Sequence, residues 1–341
     1  MNSPLRVVLV GCGGITQAWM SYAVTRPDLL FVGLVDLDVE AARALQSKYG
    51  LSQAAVGADL AAMLQTTQPD IVFDCTIPAA HTAVTLTALA HRCHVLGEKP
   101  MATTMADAAR MVAAAQAQGL TYAVIQNRRY LDQIVQYRDL VQDGRIGRLT
   151  TLNADFFLGP HFGGFREEMA HVLLLDMAIH SFDQARFIAN ADPVSVYCHE
   201  WNPPGSWFAH GAAAVAIFEM SNGLLFTYRG SWCAQGLPTA WACDWRAIGT
   251  QGTACWDGEE EVRAAVVTGA DGFFRPTEEL QIEPAAALPN TGHAGVIAEF
   301  IDSVKAGVPP QTICTDNIKS LAMVHAAIES AESGRKVLIH W

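Results

Sequence analysis

Five short apolar runs, at residues 7–10, 30–35, 71–75, 94–97 and 122–125, show no regular alternation with polar positions. Runs this short, apolar on both sides, read as strands covered on both faces. Between them lie amphipathic or alanine-rich stretches at 15–24, 39–49, 80–91 and 105–118, which predict helices. Strands and helices alternating in this way build βαβ units. They imply the α/β class, with a doubly wound parallel sheet wrapped by helices.

The pattern changes further on. Residues 148–157 read as a long strand and 172–189 as one continuous helix. Residues 212–220 and 224–233 are strand-like and flank Ser221-Asn222-Gly223, a strong hairpin signal. Further strands are expected at 241–248, 253–256 and 262–267, and helices at 295–305 and 316–330. The chain therefore divides near 125–130 into residues 1–126, the parallel sheet, and 127–341, an α+β domain with a mostly antiparallel sheet.

Composition narrows the classes. The 341 residues are 51% hydrophobic and 16% charged, enough for two domains with sizeable cores. A net charge of −12 argues against nucleic acid or an anionic membrane as a partner. No apolar run approaches the roughly eighteen residues that span a bilayer, and the first residues lack a signal-peptide pattern. The eight cysteines contain no CxxC pair, so reduced thiols and a cytoplasmic location are expected. No tight spacing of His, Asp and Cys suggests a metal, and none is expected.

Gly11-Cys12-Gly13-Gly14-Ile15-Thr16 lies between the first strand and the first helix. The first glycine suits a tight turn, and the second lets the backbone approach a pyrophosphate at the helix N-terminus. Asp36 ends the second strand, about twenty residues on, where a carboxylate accepts from the ribose hydroxyls and repels a 2′-phosphate. No Arg follows it, and Asp38 adds negative charge. NAD is expected in preference to NADP; the plain alternative is a glycine turn beside a solvated Asp.

Lys99, in Glu98-Lys99-Pro100, follows a strand of the parallel sheet, at the end where ligands bind. Asp176 and His180 stand four apart in the predicted helix and share a face. Taken singly, these read as a solvated charge and a structural hydrogen bond. Beside a nicotinamide they form a constellation for alcohol oxidation. His180 would be the base for the hydroxyl proton, Asp176 its orienting carboxylate, and Lys99 the cation at the developing alkoxide. Substrate contacts are sought among Trp201, Trp207, Trp232, Trp241 and Trp245, of which Trp207 is retained as a candidate. His161, in the glycine-rich stretch 159–164, and Arg246, which alternatively pairs with Asp244, are the others. His171 reads as a packed or capping residue, and His210 and His293 are undecided.

These motifs, in this order, resemble the Gfo/Idh/MocA family of sugar and cyclitol oxidoreductases. The glycine loop, Glu98-Lys99-Pro100 and Leu175 to His180 with Asp183 carry the resemblance. Thr76-Ile77-Pro78 with His81, Asn127-Arg128-Arg129-Tyr130 and Asp143 to Gly147 extend it, as does the tail from Glu299 to Pro309. It implies an N-terminal Rossmann domain and a C-terminal domain with a large open sheet that pairs subunits into dimers or tetramers. It assigns catalysis to Lys99, Asp176 and His180. Cofactor contacts fall on Gly11, Gly13, Gly14, Ile15, Asp36, Thr76, Ile77, Pro78, His81, Glu98, Lys99 and Asn127, with Arg129 near the nicotinamide end. The implied substrate is a small carbohydrate or polyol. An NAD-dependent glycosidase with transient internal redox and a non-catalytic NAD-binding regulator are the alternatives. Two departures stand out: Thr16 replaces the usual small third residue, and residues 171–175 lack the Gly-Gly pair of many members.

Overall fold

The computed structural model describes residues 3–341. Its first part runs β1 (Leu5–Val10), α1 (Thr16–Ala23), β2 (Leu29–Val35), α2 (Val39–Lys48), β3 (Ala55–Gly57) and α3 (Leu60–Thr67). It continues through β4 (Ile71–Asp74), α4 (Pro78–Ala90), β5 (His94–Gly97), α5 (Met105–Gln118) and β6 (Tyr122–Val124). The strands form one sheet in the order β3-β2-β1-β4-β5-β6, all parallel. The order reverses between β1 and β4, which opens a crevice at their C-terminal ends. Val7, Val8, Leu9, Ile71, Val72 and Phe73 are wholly buried, as strands covered on both faces must be.

The second part begins with a 3-10 turn at Asn127–Tyr130, α6 (Asp132–Gln142) and β7 (Leu149–Phe157). A π-helical stretch, Leu173–Ala178, then leads directly into α7 (Ile179–Ala189). Here the structure corrects the expected continuous α-helix. Nearly the whole circumference of this segment is buried, so its apolar pattern carries no information on pitch. Strands β8 (Pro193–Trp201), β9 (Ala213–Met220), β10 (Leu225–Ser231), β11 (Asp244–Gly249), β12 (Gly252–Trp256), β13 (Val262–Val267) and β14 (Thr277–Glu279) follow. Helices α8 (Gly292–Ala306) and α9 (Cys314–Ser333) and strand β15 (Val337–Leu338) complete the chain.

These strands make a nine-stranded sheet, β14-β13-β12-β11-β7-β10-β9-β8-β15. Only β7 and β10 pair in parallel; the other pairings are antiparallel. The predicted hairpin joins β9 to β10, with Gly223 at φ +80°. One face of the sheet is covered: Phe182 of α7 meets Phe218 and Tyr228 edge-on at 4.8 and 5.3 Å.

By its contacts the chain forms two units. The first contains residues up to Asn127 together with Pro289–Ile318, and the second Arg128–Leu288 with Lys319–Trp341. The expected single cut after residue 126 therefore leaves out a returning segment. That segment belongs to the first unit through α8, where Arg26 binds Asp28 and Asp302 and Lys305 binds Asp28. No helix among the described residues is long and apolar enough to cross a membrane.

Candidate active site

In the first unit, the glycine loop closes where β1 meets β4. Gly11 has φ +88°, and a Cβ on it would stand 2.7 Å from the Cys75 carbonyl, so only glycine fits. Cβ atoms on Gly13 and Gly14 would meet nothing within 4 Å, which leaves that side open. Helix α1 starts without a side-chain cap or an acidic residue in its first turn, whereas α2, α3 and α5 are capped by Asp38, Asp59 and Thr104. The Thr16, Gln17 and Ala18 N–H groups turn back onto the Gly13, Gly14 and Ile15 carbonyls at 3.3, 3.3 and 2.9 Å, and the positive dipole end of the helix suits a phosphate. Thr16 points inward and donates to the Gly11 carbonyl at 2.7 Å, so its extra bulk does not narrow the open side.

The Asp36 carboxylate accepts from the Cys12 and Asp38 N–H groups at 2.6 and 2.9 Å, which fixes it beside the glycine turn. Burial, with Asp36 adding to it, pushes the Cys12 thiol up to about 12, so this cysteine stays neutral. Thr76 donates its N–H and hydroxyl to Asp74 at 3.1 and 2.5 Å, while Ile77 stands exposed and Pro78 opens α4. Burial holds the Asp74 carboxyl above its usual range, the Glu98 charge pushes the same way, and His81 and Thr76 oppose. His81 is buried, its ring nitrogens 2.8 Å from the Pro100 carbonyl and 3.0 Å from that of Thr76. It ties the loops after β4 and β5 together.

Glu98 accepts from the Trp19 indole at 2.8 Å and from the Lys99 N–H at 3.1 Å, and the Lys99–Pro100 peptide is cis. His293 of α8, undecided from the sequence, lies 3.3 Å from the Asn127 amide and 3.9 Å from Glu98. Burial lowers its pKa and Lys99 acts in the same direction, against the pull of Glu98, so the ring is neutral near pH 7. Local spacing gave no signal for it, because 166 residues separate it from Asn127.

In the second unit, Asp176 lies in the π-helical stretch and His180 is buried in the first turn of α7. Arg166 donates to Asp176 at 2.7 Å. His161 stacks on Trp207, ring centroids 3.8 Å apart, so two of the expected substrate residues do meet. Trp232 and Trp245 are buried, while Trp201 and Trp241 are exposed.

For three residues the structure adds an orientation or partners distant in the chain. Arg246 lies on the face of β11 opposite the buried Trp245 and Ala247, where strand alternation turns it away from the helices carrying Asp176 and His180. It forms no ion pair with Asp244 either. Arg129, expected near the nicotinamide, closes on Asp183 with bonds of 2.7 and 2.6 Å, and Ser320 adds a third bond to that carboxylate at 2.7 Å. A buried bidentate pair of this kind is a structural pin. His171 takes a left-handed φ of +52°, bonds to Glu200 at 2.5 Å and lies 3.4 Å from Glu332. The Glu200 bond raises its pKa. Among the described residues, no group of three or more His, Cys, Asp or Glu could hold a metal ion, and all eight cysteines are free.

Two family models match the chain: GFO_IDH_MocA, described as an oxidoreductase family with an NAD-binding Rossmann fold, over residues 5–126, and the GFO/IDH/MocA C-terminal domain over 134–255. An uncharacterized protein of Sinorhizobium fredii, y4oX, is 30% identical over 98% of this chain and 95% of its own. The D-glucoside 3-dehydrogenase of Escherichia coli is 35% identical over 60% of each chain. Among solved structures, an oxidoreductase from Agrobacterium radiobacter in complex with NAD+, L-tartaric acid and magnesium superposes with a TM-score of 0.86. It is 22% identical and covers 98% of both chains, a likeness of fold.

Proposed function

Because the chain belongs to the GFO/IDH/MocA family of NAD-binding oxidoreductases, we propose that it moves hydride between NAD and a secondary alcohol or ketone of a sugar, sugar derivative or cyclitol, with His180 as general acid–base. The carrying observation is one chain that holds both an open glycine turn clasped by Asp36 and a buried His180 four residues from Asp176. The D-glucoside 3-dehydrogenase relative supports the carbohydrate class.

The residues present fit the dinucleotide. The N–H groups of the glycine loop and the positive end of α1 would hold its diphosphate, and Thr76 to Pro78 would flank it. Asp36 would accept from its ribose hydroxyls and repel a 2′-phosphate. When bound, the group supplies a hydride acceptor or donor. The rest is the work of this chain. His180 takes the hydroxyl proton as the carbonyl forms, and returns it in reduction. Asp176 orients the imidazole and balances its charge, and the Lys99 ammonium steadies the oxygen while it is negative. We also assign subunit pairing to the uncovered face of the nine-stranded sheet, where Tyr197 lies opposite Ile217, both largely exposed. Light scattering on the purified protein tests this, and a monomer overturns it.

The enzymatic test is NADH formation over a panel of aldoses, sugar acids, anhydrosugars, inositols and simple glycosides, with His180→Ala in parallel. Turnover of at least one sugar or cyclitol is expected, reduced about 10²–10⁴-fold in the variant. Full activity in the variant overturns the base assignment, and no NADH on any member overturns the dehydrogenase reading.

A further inference from the structure

Between β7 and the π-helical stretch runs the loop Gly159-Pro160-His161-Phe162-Gly163-Gly164-Phe165-Arg166, with Gly163 and Gly164 both at φ +66°. Two neighbouring loops hold it. The Ala209 N–H donates to the Glu167 carbonyl at 2.7 Å, and Gly159 passes so close to Ala234 that a Cβ would stand 2.6 Å from its carbonyl oxygen. The three loops bring together an unbroken series of aromatic contacts. Arg166 lies over Phe162 and Phe165, 5.2 and 4.9 Å from the ring centroids. Phe162 meets Trp232 at 5.3 Å, Trp232 stacks on Phe208 at 6.1 Å, Phe208 meets Trp207 at 5.6 Å, and Trp207 stacks on His161 at 3.8 Å. His161, Phe162 and Phe165 face solvent, and Trp207 is half-buried.

One end of this shelf is polar. Arg166 commits its Nε to Asp176, and its terminal nitrogens have no hydrogen-bond or ion-pair partner among the described residues. Asp176 already balances the Arg166 charge, so the pair suits neutral hydroxyls, one side donating and the other accepting, better than an anionic substituent. Away from that pair the shelf offers flat aromatic faces, which suit the apolar side of a pyranose or an aryl group. The indole N–H groups of Trp207 and Trp232 have no acceptor among the described residues, an unmet need that a hydroxyl-bearing ligand would relieve if the loop shifted to admit it.

We propose that this shelf is a subsite for the ring attached to the sugar being oxidised, so that the substrate is a neutral glycoside rather than a free monosaccharide or cyclitol. The proposal rests on the reading of Asp176 and His180 as the catalytic pair. The sugar unit to be oxidised would lie at Asp176 and Arg166, and its aglycone or second sugar over Phe162, Trp207 and His161.

The test is calorimetric binding to the full chain saturated with NAD. Probes are p-nitrophenyl glycosides of glucose, galactose and mannose, and cellobiose, each against the free sugar, with myo-inositol alongside. At least one glycoside is expected to bind about tenfold or more tightly than its free sugar. Trp207→Ala should bring that ratio towards one, while Phe273→Ala, an exposed aromatic on the loop between β13 and β14, keeps it. Equal affinities, a ratio preserved in Trp207→Ala, or no binding of any probe would overturn the proposal. NADH formation fails separately. Turnover without glycoside preference removes the subsite and leaves the dehydrogenase; preference without NADH on any probe leaves the subsite and removes the dehydrogenase.

Discussion

Asp183→Asn removes one charge from a buried ion pair of the second unit. Arg129 and Asp183 meet through two bonds, their side chains are 7% and 2% exposed, and Ser320 of α9 donates to the same carboxylate. Arg186 approaches it at 4.0 Å. The pair ties the 3-10 turn at Asn127–Tyr130 to α7, and the serine ties α7 to α9. With the amide in place, a buried guanidinium loses its counter-charge, which costs about 3–5 kcal/mol. At roughly 2–4 °C per kcal/mol for a unit of this size, the unfolding midpoint should fall by about 6–20 °C. Far-UV circular dichroism during heating measures it, with NAD affinity followed by fluorescence at a temperature where the variant is folded. Replacing both partners, as Arg129→Met with Asp183→Leu, should recover most of the loss, because no unpaired charge then remains buried. A shift below about 3 °C together with a large loss of NAD affinity would refute the structural reading, and would return Arg129 to the cofactor.

Two further outcomes follow from single residues. Asp36→Ser should raise NADP affinity relative to NAD by about tenfold or more in fluorescence titrations, since it removes the carboxylate that would face a 2′-phosphate; an unchanged ratio would locate the ribose elsewhere. The Glu200 bond raises the pKa of His171 above its ordinary 6.5, so its contribution to stability is complete below that pH and fades as pH rises through the folded-state value. Urea unfolding should therefore show wild type ahead of His171→Gln at pH 6, with the gap narrowing at higher pH; a gap that widens as pH rises would show the sign to be wrong.

The parts legible in the sequence were those encoded locally. Strands such as Val7–Val10 carry apolar side chains on both faces, and the spacing from Gly11 to Asp36 is fixed by one βαβ turn. The three-residue β3 is too short for alternation to register, and Asp59, the cap of α3, follows it after a single residue. Partners distant in the chain were hidden for a different reason. Nothing near Arg129 announces Asp183, 54 residues away, and nothing near Asn127 announces His293. For Arg246 the position on a strand was read, but the covered side of the sheet is decided by α6 and α7, which pack on the neighbouring β12 and β7 and lie elsewhere in the sequence.

The returning segment Pro289–Ile318 bears on how the protein is made. As the chain leaves the ribosome, the strands of the first sheet emerge early, but α8 and His293 arrive only after the whole of β7 to β14 has been synthesised. At ordinary rates of translation the delay is on the order of ten seconds or more. During that interval the half-built nucleotide unit lacks the helix that packs on α1, and the surface awaiting it is open to chaperones. A fragment cut after residue 126 would stay in that immature condition.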